Sequence, residues 1–262
     1  MPCVPLRATR LGNPVCPAKC PTDKVTRRLR DHGEGGNVTA RRAPSPTYRQ
    51  GTSMYTLYYS PGTASMVVHL ALLETGAPHE LKLVDIDAQA QRDPAYLALN
   101  PRGVVPTLVV DGKPYAESAA LLMLLAERHP EAKLAPPPGT PGRAAWLQWI
   151  VYLSNTLMST YRLWFYPSEL GGERHTPEVR AALRHKIEAV WELLDAHLAA
   201  HGPYLLGAEF SGADLLLTML MRWSRNMPRP ATEWPALRQL ADLVRARPSW
   251  KRLYEVEGLG EW

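Results

Sequence analysis

The chain of 262 residues has only three cysteines, Cys3, Cys16 and Cys20, and all lie within the first 53 positions. From residue 54 onward there is none, which excludes a disulfide framework and a catalytic thiol in that part of the chain. Cys16-x3-Cys20 resembles half of a metal site, but no second ligand pair follows at a zinc-like spacing. We therefore expect no bound metal.

Long apolar runs are also missing. None approaches the roughly 18 residues that a membrane-spanning helix needs, and the longest, "LLLTMLM" (215–221), suits a buried helix. The opening "MPCVPLRATR" lacks the apolar stretch of a secretory signal. The sequence therefore predicts neither a membrane protein nor a secreted one.

The formal charge of +5 is unevenly distributed. Residues 1–53 hold ten Lys and Arg against three Asp and Glu, whereas the rest holds twenty against twenty-two. The same segment contains seven prolines and no hydrophobic periodicity, so we predict a disordered basic extension. A translation start at Met54 or a dispensable tail is favoured over a nucleic-acid arm, and we expect no nucleic-acid partner.

Residues 54–134 alternate strand and helix patterns. "YTLYY" (55–59) and "ELKLVDI" (80–86) predict strands around a helix over 64–76, followed by a short helix over 93–101. The segment 105–118 contains Asp111-Gly112, a hairpin signal, and a helix follows over 118–130. The pattern predicts a small mixed sheet with helices on both faces.

A proline-glycine linker, "APPPGTPG" (135–142), separates this block from residues 143–262, where strand signals vanish. Helical patterns follow over about 143–166, 177–200, 211–226 and 234–247. The second block is therefore predicted to be an all-helical domain.

Two motifs of the first block have both a structural and a functional interpretation. Val105-Pro106 opens a strand, and a cis bond there would turn the Val105 backbone outward to pair with an extended peptide. Ser118 can simply cap its helix, or Glu117 and Ser118 can grip the ammonium and carboxylate of an amino acid. Residue spacing alone leaves both alternatives open.

The stretch "FSGADLLL" (210–217) predicts a helix start. Ser211 and Asp214 have the spacing of a capping box, and Phe210 with Leu215 has that of a hydrophobic staple. Aromatic residues crowd the first helix of the second block. Most are expected to be core, but Tyr161, Trp164 and Tyr166 are candidates to line an apolar substrate pocket.

The turn "YYSPGTAS" (58–65) carries several hydroxyl groups beside the predicted start of the first helix. It is either an ordinary strand-to-helix turn or a site where a hydroxyl contacts a substrate. The candidate hydroxyls are those of Tyr59, Ser60, Thr63 and Ser65.

Taken in order, "LYYSPGTAS", "NPRGVVPTL" (100–108), "AESAALLMLLAERHP" (116–130) and "FSGADLLL" resemble the cytosolic glutathione S-transferases, from Met54 to about Trp262. The loop is most similar to the bacterial beta-type subgroup. The resemblance implies a thioredoxin-like N-terminal domain, a helical C-terminal domain, a cytoplasmic homodimer and glutathione as cosubstrate.

The resemblance also assigns roles. Val105 and Pro106 match the position that pairs with the cysteinyl part of glutathione, and Glu117 and Ser118 match the pair that holds its γ-glutamyl end. Arg102, in the same loop, is expected to help with the glycyl carboxylate. The opening turn matches the loop that activates the thiol, where a hydroxyl would stabilise the thiolate that attacks a small hydrophobic electrophile.

The chain departs from the beta-type pattern at two positions. Ala64 stands where that subgroup has a cysteine, and Met158 aligns with its histidine. Both changes favour activation by a hydroxyl over mixed-disulfide chemistry. Ser60 is then the first candidate, Tyr59 and Ser65 follow, and Thr63 is fourth. Glutathione-dependent disulfide reduction or peroxide reduction, and a non-catalytic ligand-binding role, remain alternatives at this point.

Overall fold

The computed structural model describes residues 55–262, so the basic extension and its cysteines lie outside the described residues. Strands β1 (Tyr55–Tyr59), β2 (His79–Leu83), β3 (Thr107–Val110) and β4 (Lys113–Ala116) form one sheet in the order β2-β1-β3-β4. β1 and β2 are parallel, whereas the β1–β3 and β3–β4 pairs are antiparallel. The predicted mixed sheet is confirmed.

Alternation along β1 explains the layering around the sheet. Tyr55 and Leu57 are buried on the face covered by α1 (Met66–Thr75) and α3 (Ser118–Arg128). Tyr58 points the other way, where its ring meets Tyr96 of α2 (Pro94–Leu97). Helices therefore cover both faces, as the strand and helix patterns predict.

The second half is helical throughout its described length. Its helices are α4 (Pro141–Tyr152), α5 (Ser159–Phe165), α6 (Pro177–His201), α7 (Gly212–Trp223), α8 (Pro235–Arg245) and α9 (Pro248–Glu257). A π-helical segment, Leu153–Met158, joins α4 to α5, so the helix predicted over 143–166 is continuous but changes its hydrogen-bond spacing. None of the described helices is long and apolar enough to cross a membrane.

The sequence analysis missed helix α9. Pro248 ended the preceding pattern, but it occupies the first turn of a new helix, where proline lacks only an N–H that would be unpaired anyway. Gly258, with φ of 62°, ends that helix. α9 packs against α1, so the last described helix contacts the first helix of the thioredoxin-like half.

The capping box at the start of α7 is confirmed. The buried Asp214 carboxylate accepts the N–H groups of Leu205 and Ser211, each at 2.8 Å, and the Ser211 hydroxyl at 3.1 Å. Burial raises the pKa of Asp214 to about 6, because these hydrogen bonds offset only part of the loss of water.

We expect the parent protein to lose stability relative to an Asp214→Asn variant as the pH rises from about 4 to about 7. The pKa of Asp214 is about 6 in the folded chain against an ordinary 3.8, so the folded chain alone retains the proton between these values. The parent's free energy of unfolding relative to the variant should be highest below pH 3.8 and should fall by at most about 3 kcal/mol as the pH rises through 6. Urea denaturation of both proteins across this range measures it, and a pH-independent difference would contradict the buried-carboxyl account.

Candidate functional site

The turn between β1 and α1 holds four candidate hydroxyls, and its hydrogen bonds divide them into two groups. Thr63 and Ser65 both donate to the Ser60 carbonyl, at 2.7 and 3.0 Å. The Ser65 hydroxyl also accepts the Ser60 N–H at 3.3 Å. These two hydroxyls therefore stabilise the turn itself.

The hydroxyls of Ser60 and Tyr59 have no hydrogen-bond partner within residues 55–262. Ser60 is 5% exposed and lies directly after β1. Burial, and then the negative charge of Glu257, raises the pKa of Tyr59, so its phenol stays protonated at neutral pH. Both groups can donate a hydrogen bond to a ligand atom in this turn.

The helical half holds the tip of the same turn. The Gly62 N–H donates to Glu257 Oε2 at 3.0 Å, and the Gly62 carbonyl accepts the Trp223 indole N–H at 3.0 Å. The other Glu257 oxygen accepts His69 Nδ1–H from α1 at 2.8 Å, and the two side chains are 0% and 1% exposed. Both oxygens of a buried carboxylate thus have a partner, and one of those partners is the turn.

Polar side chains hold the loop at 100–106, which follows α2, through hydrogen bonds to its backbone. Tyr96 Oη–H and Asn100 Nδ2–H both donate to the Val104 carbonyl, at 2.7 and 2.8 Å, and both contact the Thr107 hydroxyl. The Val105–Pro106 bond is cis, and the sheet ladder begins only at Thr107. The Val105 backbone therefore lies outside the sheet, beside a carbonyl that two donors hold.

The third segment, at the start of α3, contacts the other two. The Ser118 hydroxyl donates to the Ala64 carbonyl at 2.9 Å, and the exposed Arg102 and Glu117 side chains form an ion pair. Glu117 adopts φ 73°, ψ 104°, an uncommon conformation for a residue with a side chain, of the kind that concentrates at ligand sites. The structure thus brings together the turn at 58–65, the loop at 100–106 and the start of α3.

The predicted pocket residues lie at different depths. Tyr161 is fully buried and burial raises its pKa, Trp164 is buried beneath the Arg180 guanidinium, and Tyr166 is half exposed beside Arg162. Phe165, which the sequence analysis left among the core aromatics, stacks on Tyr161 and is 48% exposed. The ring centres of Phe165 and Trp223 are 6.3 Å apart, with the two rings nearly perpendicular, and Trp223 bonds to the turn.

Some site residues escaped the sequence analysis altogether. Glu257, Trp223 and Arg222 reach the turn from distant parts of the chain, and His69, in the adjacent helix α1, bonds to Glu257. Pro248 and Gly258 mark helix α9 in the sequence. Along that helix, Trp250, Leu253 and Glu257 lie on one buried face, so Glu257 could have been found as a carboxylate beside apolar residues. Among residues 55–262, no group of three or more His, Cys, Asp or Glu is arranged to hold a metal ion.

Comparisons with known proteins agree with this geometry. The family model described as "Glutathione S-transferase, N-terminal domain" matches residues 55–133, and that described as "Glutathione S-transferase, C-terminal domain" matches 177–255. Glutathione S-transferase GstA of Escherichia coli O157:H7 is 32% identical over 206 residues, covering 78% of this chain and 98% of that protein. A sphingomonad glutathione S-transferase complexed with glutathione is 30% identical with a TM-score of 0.69, covering 78% and 100% of the two chains.

A further solved structure, a glutathione transferase homologue from Sulfitobacter with bound glutathione, is 27% identical, has a TM-score of 0.71 and covers 79% and 99% of the two chains. This chain therefore belongs to the glutathione S-transferase family. The predicted fold, a thioredoxin-like domain followed by a helical domain, is confirmed, as are glutathione transferase function and glutathione as cosubstrate. The beta-type subgroup stays a prediction.

We expect a Tyr96→Phe variant to bind glutathione about 3- to 10-fold more weakly, because one of the two donors that hold the Val104 carbonyl is lost. The thiol pKa of bound glutathione should not change, since the turn at 58–65 is untouched. Calorimetry and a thiolate absorbance titration measure the two quantities. Tyr58→Phe is the matched control, because its ring packs on Tyr96 but its hydroxyl makes no hydrogen bond to a described residue. Equal weakening in both variants would contradict the positioning role.

Proposed function

We propose that this transferase holds glutathione on the thioredoxin-like half and stabilises its thiolate with the Ser60 hydroxyl. The thiolate attacks a small hydrophobic electrophile that lies against Phe165 and Trp223 of the helical half. The observation that carries this assignment is the division of the hydroxyls in the turn. Thr63 and Ser65 are engaged with the Ser60 carbonyl, whereas the Ser60 hydroxyl is free to donate.

The energetics of one hydrogen bond are sufficient for the task. A thiol with a pKa near ~8.5 is only a few per cent ionised at neutral pH, and the thiolate is the nucleophile. A hydrogen bond to an anion contributes about 1.5–3 kcal/mol, which lowers the pKa by roughly one to two units. The Ala64 N–H, which bonds to no described residue, and the start of α1 add positive potential nearby.

The remaining contacts follow the shape of a γ-linked tripeptide. The Val105 backbone is available to pair with the central cysteinyl residue, beside the cis Pro106. The γ-glutamyl ammonium replaces the Arg102 guanidinium on Glu117, and Arg102 then binds the glycyl carboxylate. Both side chains are more than half exposed, so the pair contributes little stability and its exchange costs little.

Ser118 is the first residue of α3, and the unpaired backbone N–H groups of this first turn bind the γ-glutamyl carboxylate. The Ser118 hydroxyl donates to the Ala64 carbonyl, which ties this carboxylate site to the activating turn. Ala64 gives the site no thiol of its own, which favours transfer onto an electrophile over a mixed disulfide with the protein.

Replacing Ser60 with alanine should raise the pKa of the bound glutathione thiol by about one to two units. Activity with chlorodinitrobenzene should fall about 10-fold or more near pH 6.5 and less above pH 9, where the thiol ionises without help. The thiolate absorbance of the complex measures the pKa directly.

Two matched variants separate Ser60 from its neighbours. Tyr59→Phe should leave the thiol pKa near the parent value, and Ser65→Ala should lower the melting temperature because it removes bonds that close the turn. A raised pKa in Tyr59→Phe, with none in Ser60→Ala, would assign the activation to Tyr59 instead.

We further propose a cytoplasmic homodimer, as the family resemblance implies. Leu147 and Val151 lie one turn apart on α4 and are both exposed, although they are large apolar side chains. A second copy of the chain would cover them.

A Val151→Asp variant should elute as a monomer in light-scattering chromatography, whereas the parent elutes as a dimer, because a carboxylate would lose its water in the interface. Leu243→Asp, at an exposed apolar position on α8, is the control and should stay dimeric. A monomeric parent, or dimers of both variants, would contradict the proposed face.

A further inference from the structure

Arg222, in the last turn of α7, is a buried cation without a carboxylate partner. It is 5% exposed, and among residues 55–262 no Asp or Glu oxygen lies within 4.0 Å of its guanidinium. Its Nε–H donates to the Tyr254 hydroxyl at 2.8 Å, and its guanidinium carbon lies 5.5 Å from the centre of that ring. Neither terminal nitrogen makes a hydrogen bond to a described residue.

This arrangement is unfavourable for a free protein. Arginine is rarely buried to this extent without an anionic partner, because its charge loses much of its contact with water. A second cation increases the cost: Arg225 Nη1 donates to the Arg222 carbonyl at 3.1 Å. Burial, and then the charge of Arg222, lowers the pKa of Arg225, which indicates that the two charges are close. An anion from outside the chain would compensate both.

The unpaired nitrogens lie at the activating turn. A Cβ placed on Gly62 would be 3.1 Å from Arg222 Nη1, and the neighbouring Trp223 donates to the Gly62 carbonyl. The half-exposed Phe165 meets the edge of Trp223. Glu257, on the N–H side of Gly62, is engaged by that N–H and by His69 and forms no ion pair with Arg222. Arg222 and Trp223 thus both reach Gly62, and Phe165 lies against Trp223.

We propose that Arg222, supported by Arg225, binds a carboxylate on the electrophile, so that the natural substrates are aromatic or unsaturated acids. This substrate class rests on the proposed function. A planar carboxylate matches the fork of a guanidinium, and a flat ring fits against Phe165 and Trp223. With a chlorinated aromatic acid, the thiolate electron pair forms the C–S bond, the C–Cl bond breaks and chloride leaves with its pair. The thiol proton goes to solvent and the carboxylate is unchanged.

The test compares chlorodinitrobenzoate with neutral chlorodinitrobenzene. In Arg222→Met, the ratio of kcat/KM for the acid to kcat/KM for the neutral compound should fall about 10- to 100-fold. Arg222→Lys, which retains the charge, should recover part of that ratio. Arg229→Met is the matched control, because it removes an equal charge from the exposed stretch after α7, and it should keep the parent ratio. Circular dichroism and melting confirm folding of each variant.

A binding arm separates this inference from the proposed function. Dinitrobenzoate, which has no leaving group, should quench the tryptophan fluorescence of the parent and bind at least 10-fold more weakly to Arg222→Met. Such binding without turnover of either electrophile would reject the proposed function and support the anion site. An unchanged ratio, or no dinitrobenzoate binding by the parent, overturns the inference. A raised thiol pKa with equal slowing of both electrophiles also overturns it, because the anion served by Arg222 would then be the thiolate.

Discussion

The site depends on one buried carboxylate, Glu257, whose two oxygens connect the turn at Gly62 to His69 of α1. A carboxylate removed from water stabilises a fold only when its oxygens are paired, and removal of one partner leaves a costly unpaired group. Because Glu257 ends the last helix and Gly62 lies in the first turn, the geometry of the thioredoxin-like half depends on the helical half. The Trp223 bond to the Gly62 carbonyl holds the same peptide from the other side.

The backbone and the surroundings of position 62 both favour glycine. Its φ of 71° is strained for a residue with a side chain, and a Cβ there would approach Arg222 and Leu259. Thr63 and Ser65 turn back onto the Ser60 carbonyl, so the hydroxyls left without a partner among the described residues are those of Ser60 and Tyr59. A hydrogen-bond donor that is already in position need not reorganise when negative charge develops on the sulfur. Preorganised donors of this kind stabilise transition states effectively.

Local signals predicted much of this architecture, and long-range contacts account for the rest. The strand predicted from "YTLYY", the Asp111-Gly112 hairpin and the Ser211–Asp214 box depend on neighbours in sequence and agree with the structure. The Glu257–Gly62 bond joins residues 195 positions apart, so no local pattern could reveal it. The positive φ of Glu117 and the choice between engaged and free hydroxyls likewise depend on packing, which a motif does not specify. Helix α9 is different, because Pro248 and Gly258 are local boundary signals, although the helical pattern predicted over 234–247 stops before them.

Electrostatics favours Ser60 over Tyr59 as the donor to the thiolate. Burial, and then the charge of Glu257, raises the pKa of Tyr59, which means that a second negative charge near that phenol is disfavoured. A thiolate held against Tyr59 would experience the same repulsion, and its pKa would rise where catalysis needs it to fall. Ser60 follows Tyr59 directly, and successive residues along an extended chain point to opposite sides. A sulfur at Ser60 would therefore lie on the other side of the chain from the Tyr59 phenol, where the Ser60 hydroxyl can donate a hydrogen bond to it.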